Sequence, residues 1–427
     1  MKSILSRPSS VLLLANGIAL GLGVVSAAIQ ARILGPVGRG ELAVAMVPAT
    51  LLAMLLCIGL PDYMARRVAV DGDTKRASSL ALALSLCVGI VFTVPYVLLA
   101  GLLAPQGSDA WWLIVTFAVL TPLFVYGYCI TGVSVGNSNW KLVALSKIVP
   151  QAGAVSGLLL VATTNPSVLQ IGVILIGSSL VGLIVPASLA GAVPLRRFTF
   201  TDVRQALSFG IRGWGAGALA LVNQRVDLVM MTILASHAQL GYYAVSTTLA
   251  AVFGTVSTAI SLPTRNRVAR GDKFAAVHAT GFAMAATLIS GLIVIALLPL
   301  IVSVLLGNDF LPAVPVMAIL IAGQVPLAGA VVLTASLVGV GKPAAPMAGE
   351  AVALIATVVC ITFLFPLFGT LAAAWANVFA HVLSLLVLLW LARRHIADVP
   401  YWRYLFISPA RARDMIRGRE TVINVSN

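Results

Sequence analysis

The residues best placed to do chemistry in this chain lie inside a single apolar run. From Leu207 to Ala251 the sequence reads LSFGIRGWGAGALALVNQRVDLVMMTILASHAQLGYYAVSTTLAA. Asn223, Gln224, Arg225 and Asp227 fall near the middle of about 25 mostly apolar residues, enough to span a bilayer. An ionisable side chain at that depth is costly, and where it occurs it faces other helices or a water-filled cavity. On a continuous helix Asn223 and Asp227 share a face, whereas Arg225 and Asp227 point roughly 200° apart. The arginine and the aspartate are therefore not expected to neutralise one another. Either each is paired with a neighbouring helix, or the segment lines a transport pathway.

Arg225 is too deep to reach either surface easily, which makes it the strongest candidate for binding an anion. Its guanidinium fork can give two parallel hydrogen bonds to phosphate oxygens. Arg32 ends the first apolar run on its outer side, where a long side chain can equally snorkel to the interface. Lys147 opens the fifth run and Glu350 lies one turn into the eleventh, both at the cytoplasmic boundary. Such positions are commonly interfacial, although Lys147 could also meet an incoming anion.

The elements that hold these residues follow from composition. Of 427 residues, 60% are hydrophobic and only 9% charged, the signature of a polytopic membrane protein. The apolar runs are too long for barrel strands and lack alternation, so the expected fold is all-α. Cys57, Cys87, Cys129 and Cys360 lie within apolar runs without metal-ligand spacing and read as small hydrophobes.

About twelve spans of membrane length are expected. They cover residues 11–31, 42–60, 79–101, 111–133, 147–163, 168–191, 211–235, 240–262, 275–304, 311–339, 344–366 and 370–392. The basic, then apolar, start resembles a secretory leader. It reads as a retained first helix, because the segment after it has a counterpart in the second half. Loops after even-numbered spans carry Arg66, Arg67, Lys75, Arg76, Lys141, Arg196, Arg197, Arg204, Arg265, Arg267, Arg270, Lys273 and Lys342. Loops after odd-numbered spans carry only Arg32 and Arg39, which predicts both termini on the cytoplasmic side of the cell membrane. Most of the net charge of +14 is therefore topological and gives no indication of nucleic-acid binding. The tail from Arg393, with Arg394, Arg403, Arg411, Arg413, Arg417 and Arg419, can lie against anionic membrane lipids.

Two halves are visible. ILGPVGRGELAV at Ile33–Val44 aligns with LASHAQLGYYAV at Leu234–Val245, matching Gly40 to Gly241 at an offset of 201. LLAP at Leu102 matches LLGN at Leu305, and Val135-Gly136 matches Val338-Gly339, at an offset of 203. An even number of spans per half puts the copies in the same orientation, related by an axis along the membrane normal. The expected organisation is a six-helix half over 1–200, a second over 201–392, a basic cytoplasmic tail over 393–427, and a central cavity between the halves.

The order of these motifs resembles a known family. ARILGPVGRGELAV, GLPDYMARR, LSFGIRGWGAGALALVNQRVDLVMM, LGYYAVSTTLAAVF and LLGNDFLPAVPVMAIL are similar to segments of polysaccharide-type flippases of the multidrug/oligosaccharidyl-lipid/polysaccharide exporter superfamily. Each motif is degenerate alone, but the likeness runs from about Ser10 to Arg394. The resemblance implies translocation of a polyprenyl-diphosphate-linked glycan between leaflets by alternating access, driven by an ion gradient, with no cofactor. It also implies polysaccharide polymerase or export machinery as protein partners. Arg225 and Arg32 are the positions that match the family's cationic cavity, and Asp227 matches an acidic residue that in some members binds the coupling cation.

Asp227 is ~13 Å below the outer boundary at 1.5 Å per residue, and Asn377 on the twelfth span is ~10 Å deep, with His381 one turn below it. If these helices meet, as the family fold implies, Asp227 with Asn223 and Asn377 could hold Na⁺, or Asp227 with His381 could relay a proton.

A drug/cation antiporter of the same superfamily is the nearest rival, though it would favour acidic cavity residues over Arg225. A membrane glycosyltransferase or ligase would need a larger outer loop than the short ones here, which carry only Asp109 and Asp309. The D-x-D at Asp71 and Asp73 lies in a short basic loop, and GVGK at Gly339 lacks phosphate-loop spacing. The chain is accordingly not expected to be an enzyme.

Overall fold

The computed structural model describes residues 8–189 and 198–406, and among these every regular element is a helix. The first six helices are α1 (Pro8–Leu56), α2 (Leu60–Asp71), α3 (Thr74–Leu103), α4 (Asp109–Gly136), α5 (Trp140–Val161) and α6 (Val168–Leu189). After these come α7 (Phe200–Asn223), α8 (Val226–Leu234), α9 (His237–Ala250), α10 (Gly254–Ala269) and α11 (Lys273–Leu305). α12 (Val314–Gly339), α13 (Pro346–Phe368), α14 (Thr370–His395) and the short α15 (Tyr401–Leu405) complete the described chain. Among the described residues, ten helices are long and apolar enough to cross a membrane. Gly217–Asn223 with Val226–Leu234 makes an eleventh span bent by 45°. The protein is thus a multi-pass membrane protein.

Two boundaries differ from the sequence expectation. The loop expected between 31 and 42 is instead helical apart from Gly35, whose φ of 64° and ψ of −176° break α1. Glycine tolerates that conformation, and the residue before a proline is kept out of the helical region. Pro36 then restarts the helix as its first residue, where its missing N–H costs nothing. The second helix therefore begins early and ends at Leu56, followed by left-handed Ile58 (φ 43°) and Gly59 (φ 68°).

The segment after it, expected to be a cytoplasmic loop, forms α2. Leu60, Tyr63, Met64 and Val68 are its buried face, while Gly72 caps its end with an N–H to the Val68 carbonyl. Arg66, Arg67 and Asp71 obscure this face in a hydropathy reading, because amphipathic helices are apolar on one side only.

Two compact units are resolved: Met1–Leu249 with Leu300–Val314, and Ala250–Pro299 with Pro315–Asn427. In the first, Leu42, Leu113, Ile114, Phe117, Leu158 and Ile171 form one core, and Leu60, Met64, Leu80, Val125, Ile130 and Ala206 another. In the second, Leu333, Leu337, Leu388, Leu389 and Tyr404 are packed together. Leu102, Leu160 and Phe363 are 83%, 81% and 71% exposed, an outward apolar surface suited to hydrocarbon.

Small residues allow close helix approach, as expected in a membrane. A methyl group on Gly136 would press on the Ala65 carbonyl in the first unit, and one on Gly339 on the Arg265 carbonyl in the second. The sequence repeat pairs these two glycines, at an offset of 203.

Candidate functional site

α7 begins with a capping box. Thr199 accepts from the Asp202 N–H while the Asp202 carboxylate accepts from the Thr199 N–H at 2.8 Å. The helix runs to Asn223 and stops; Gln224 and Arg225 carry the chain across the break, and α8 starts at Val226. This corrects the expectation that Asn223 and Asp227 share one face of a continuous helix. Asp227 belongs to the first turn of the new helix, where its Oδ1 accepts the Leu228 N–H at 2.7 Å. A carboxylate is favoured there by the positive end of the helix dipole.

Asp227 is buried, and the Tyr243 hydroxyl on α9 donates to its Oδ2 at 2.8 Å. Tyr243 is itself fully buried. Two donors aimed at its oxygens suit an ionised carboxylate. Arg225, two residues away, is exposed, and Asn223 is half-buried. Among the described residues no three His, Cys, Asp or Glu side chains gather into a metal site.

The other expected residues are placed as follows. Arg32 is exposed and donates from Nε to the Leu305 carbonyl at 3.0 Å and from Nη2 to the Val304 carbonyl, tying the first helix to the end of α11. With Ser303, Asn308 and Asp309 it lines a surface recess of about 360 Å³. Lys147 is exposed on α5. Asn377 and His381 lie one turn apart on α14, in the second unit, whereas Asp227 lies in the first. His381 Nδ1 is 3.2 Å from the Gly323 carbonyl, which requires the proton on Nδ1 and leaves Nε2 as an acceptor in the neutral ring.

Three features were not foreseen from the sequence. Asp202 binds two arginines of the preceding basic segment: Arg67 Nη2 donates to Oδ1 at 2.7 Å, and Arg76 Nη2 and Nε donate to Oδ2 at 2.8 and 3.2 Å. Burial alone would raise the Asp202 carboxyl, but the Thr199 N–H and then the two guanidiniums hold it far below the usual carboxylate range. Next to it, Arg66 lies 5.3 Å over the Phe209 ring.

The second is a contact between Glu41 Oε1 and His237 Nδ1 at 3.6 Å. The third lies beside it. A methyl on Gly40 would strike the His237 carbonyl, and one on Gly241 would strike the Pro36 carbonyl. Pro36 and Gly40 correspond to His237 and Gly241 in the sequence repeat, so the contact is reciprocal. The signal was present in the matched glycines, but sequence alone does not say that matched positions touch.

Residues 5–264 match the family model of the polysaccharide biosynthesis protein. Among proteins of curated function, none matches the chain by sequence. Among solved structures, the inward closed conformation of the lipid II flippase MurJ is 15% identical with a TM-score of 0.76, over 96% of this chain and 94% of that one. A transporter of the MOP superfamily from Pyrococcus furiosus is 16% identical at a TM-score of 0.64, covering 92% of this chain and 97% of that one. An inward-facing multidrug resistance MATE transporter of the same superfamily is 14% identical at 0.65, covering 92% and 95%. These likenesses establish the fold.

Proposed function

This chain belongs to the polysaccharide biosynthesis protein family, and on that ground we propose that it is a flippase for a polyprenyl-diphosphate-linked oligosaccharide. It would carry this lipid from the cytoplasmic to the outer leaflet by ion-coupled alternating access, for cell-surface polysaccharide synthesis. The observation that carries the reading is the break at Gln224–Arg225, where an exposed guanidinium lies two residues from a buried carboxylate.

In this reading Arg225 receives the diphosphate through its planar fork, and Lys147 meets it nearer the cytoplasmic face. Arg32, bound to the carbonyls at the end of α11, serves at the outer end of the path. Asp227, fixed by Tyr243 and its own helix start, takes the coupling Na⁺ or H⁺, with Asn223, Asn377 and His381 as further ligands or relay groups. In this reading the termini are cytoplasmic, an orientation the basic loops favour, and the membrane is the inner, cytoplasmic one. Counting α1 as two spans about Gly35 gives twelve, six in each repeat over 1–200 and 201–392, with 393–427 as the tail. Polymerase or export proteins would take the cargo onward.

The leaflet distribution of lipid-linked oligosaccharide in cells lacking the protein tests this reading. Accumulation on the cytoplasmic side, relieved by re-expression, supports it. Unchanged lipid-linked intermediates defeat it and favour the drug/cation antiporter, for which the fold of the multidrug transporters and the buried Asp227 carboxylate speak; dye efflux would then decide.

A further inference from the structure

The last described stretch of the chain carries a pattern that transport leaves unused. α14 has 26 residues, about 39 Å at 1.5 Å each against a hydrocarbon core of about 30 Å. Its final turn, with Arg393, Arg394 and His395, therefore emerges at headgroup level. The chain then folds back. Arg393 Nε donates to Asp398 Oδ1 at 2.7 Å, and fully buried Tyr404 donates its hydroxyl to the Ala397 carbonyl at 2.9 Å.

With Tyr404 inward, α15 turns its other aromatics outward: Trp402 is 58% exposed and the adjoining Phe406 72%. Each of three guanidiniums lies over a ring: Arg393 over Tyr401 at 5.3 Å, Arg394 over Trp390 at 5.8 Å, and Arg403 over Trp402 at 5.5 Å. Asp398 pairs with Arg393. An arginine stacked on a ring keeps its planar N–H edge for phosphate oxygens, and exposed Trp and Phe suit the boundary between headgroups and acyl chains.

We propose that Trp390–Phe406 is a binding surface for the phosphate headgroup of an anionic phospholipid, with Arg394 and Arg403 as the principal anion contacts and Trp402 and Phe406 entering the bilayer edge. Arg393 is shared with Asp398 and holds the turn. The occupant is a bulk membrane lipid, chosen by the charge complementarity and by the depth at which α14 ends.

The full-length protein in nanodiscs of phosphatidylcholine alone, or with phosphatidylglycerol, tests it through hydrogen exchange of the 396–406 amides. Exchange is expected to slow when phosphatidylglycerol is present, and the protection to fade with salt. R394A and R403A are each expected to reduce that protection about fivefold, the usual effect of one basic residue near an anionic surface, while R394K and R403K keep part of it. Both sites are exposed, so the variants test binding and not folding. Equal exchange in the two compositions, or unchanged protection in the R394A/R403A double variant, would overturn the proposal.

Discussion

Arg225 and Asp227 are close in sequence but differ in setting. Arg225 is exposed at the break between α7 and α8, whereas Asp227 is buried against Tyr243. Substitutions should separate the two. Arg225→Ala is expected to lower transport at least tenfold without blocking membrane insertion, and Arg225→Lys to keep part of it, since an ammonium retains the charge but loses the fork. Flipping of a lipid-linked oligosaccharide in reconstituted vesicles measures both, and full activity of the alanine variant would remove Arg225 from the mechanism. Asp227→Asn should leave a transporter whose rate no longer follows the ion gradient; a preserved ion dependence would refute the coupling role. Polar residues in an apolar span made these two legible. Tyr243 was not, because it reaches Asp227 from 16 positions away across a turn. The break was hidden as well, since N-Q-R-V-D reads equally well as continuous helix.

Between residue and molecule, the element that sequence reading missed is α2 with its link to α7. The spacing of Leu60, Tyr63, Met64 and Val68 was available, but the charges between them favoured a loop. Nothing in the sequence pairs Arg67 and Arg76 with Asp202, more than a hundred residues on. The Asp202 carboxylate and the Arg67 side chain are only 8% and 10% exposed, and Asp202→Asn leaves Arg67 with the half-exposed Asp71 carboxylate, 3.5 Å from its Nε, as its remaining acidic partner. A cost of about 1.5 to 3 kcal/mol is expected, read as a lowered Tm of the purified protein. The pH dependence has a definite sign. The folded state holds this carboxyl below its usual value, so its contribution is complete above about pH 4 and is withdrawn as pH falls further toward the folded pKa. The wild-type Tm should therefore drop below about pH 4 more steeply than that of Asp202→Asn.

For the whole molecule, the length and composition of the apolar runs made the helical membrane fold legible, and most span limits fall within a few residues of the helices observed. Among the three short matches on which the expected repeat rests, Gly40 and Gly241 are matched positions that lie in close backbone contact. Overpacking at either of these should cost about 1 to 3 kcal/mol. Gly40→Val and Gly241→Val are thus expected to melt earlier, whereas Gly17→Ala, with no atom within 4 Å of its added methyl, should not. A cytoplasm-dependent reporter fused after Asn427 should be active, and an inactive one would reverse the topology.

The Gly40 and Gly241 contact also has a mechanical meaning. Where two backbones touch with no side chain between them, the contact acts as a fulcrum with a very short arm. A rod reaching about 30 Å from such a point swings its far end by about 5 Å for a turn of about 10°. Few atoms at the fulcrum need to move, so a large displacement at the far end can coexist with a nearly rigid joint. A bulky residue there would jam the bearing as well as loosen the fold.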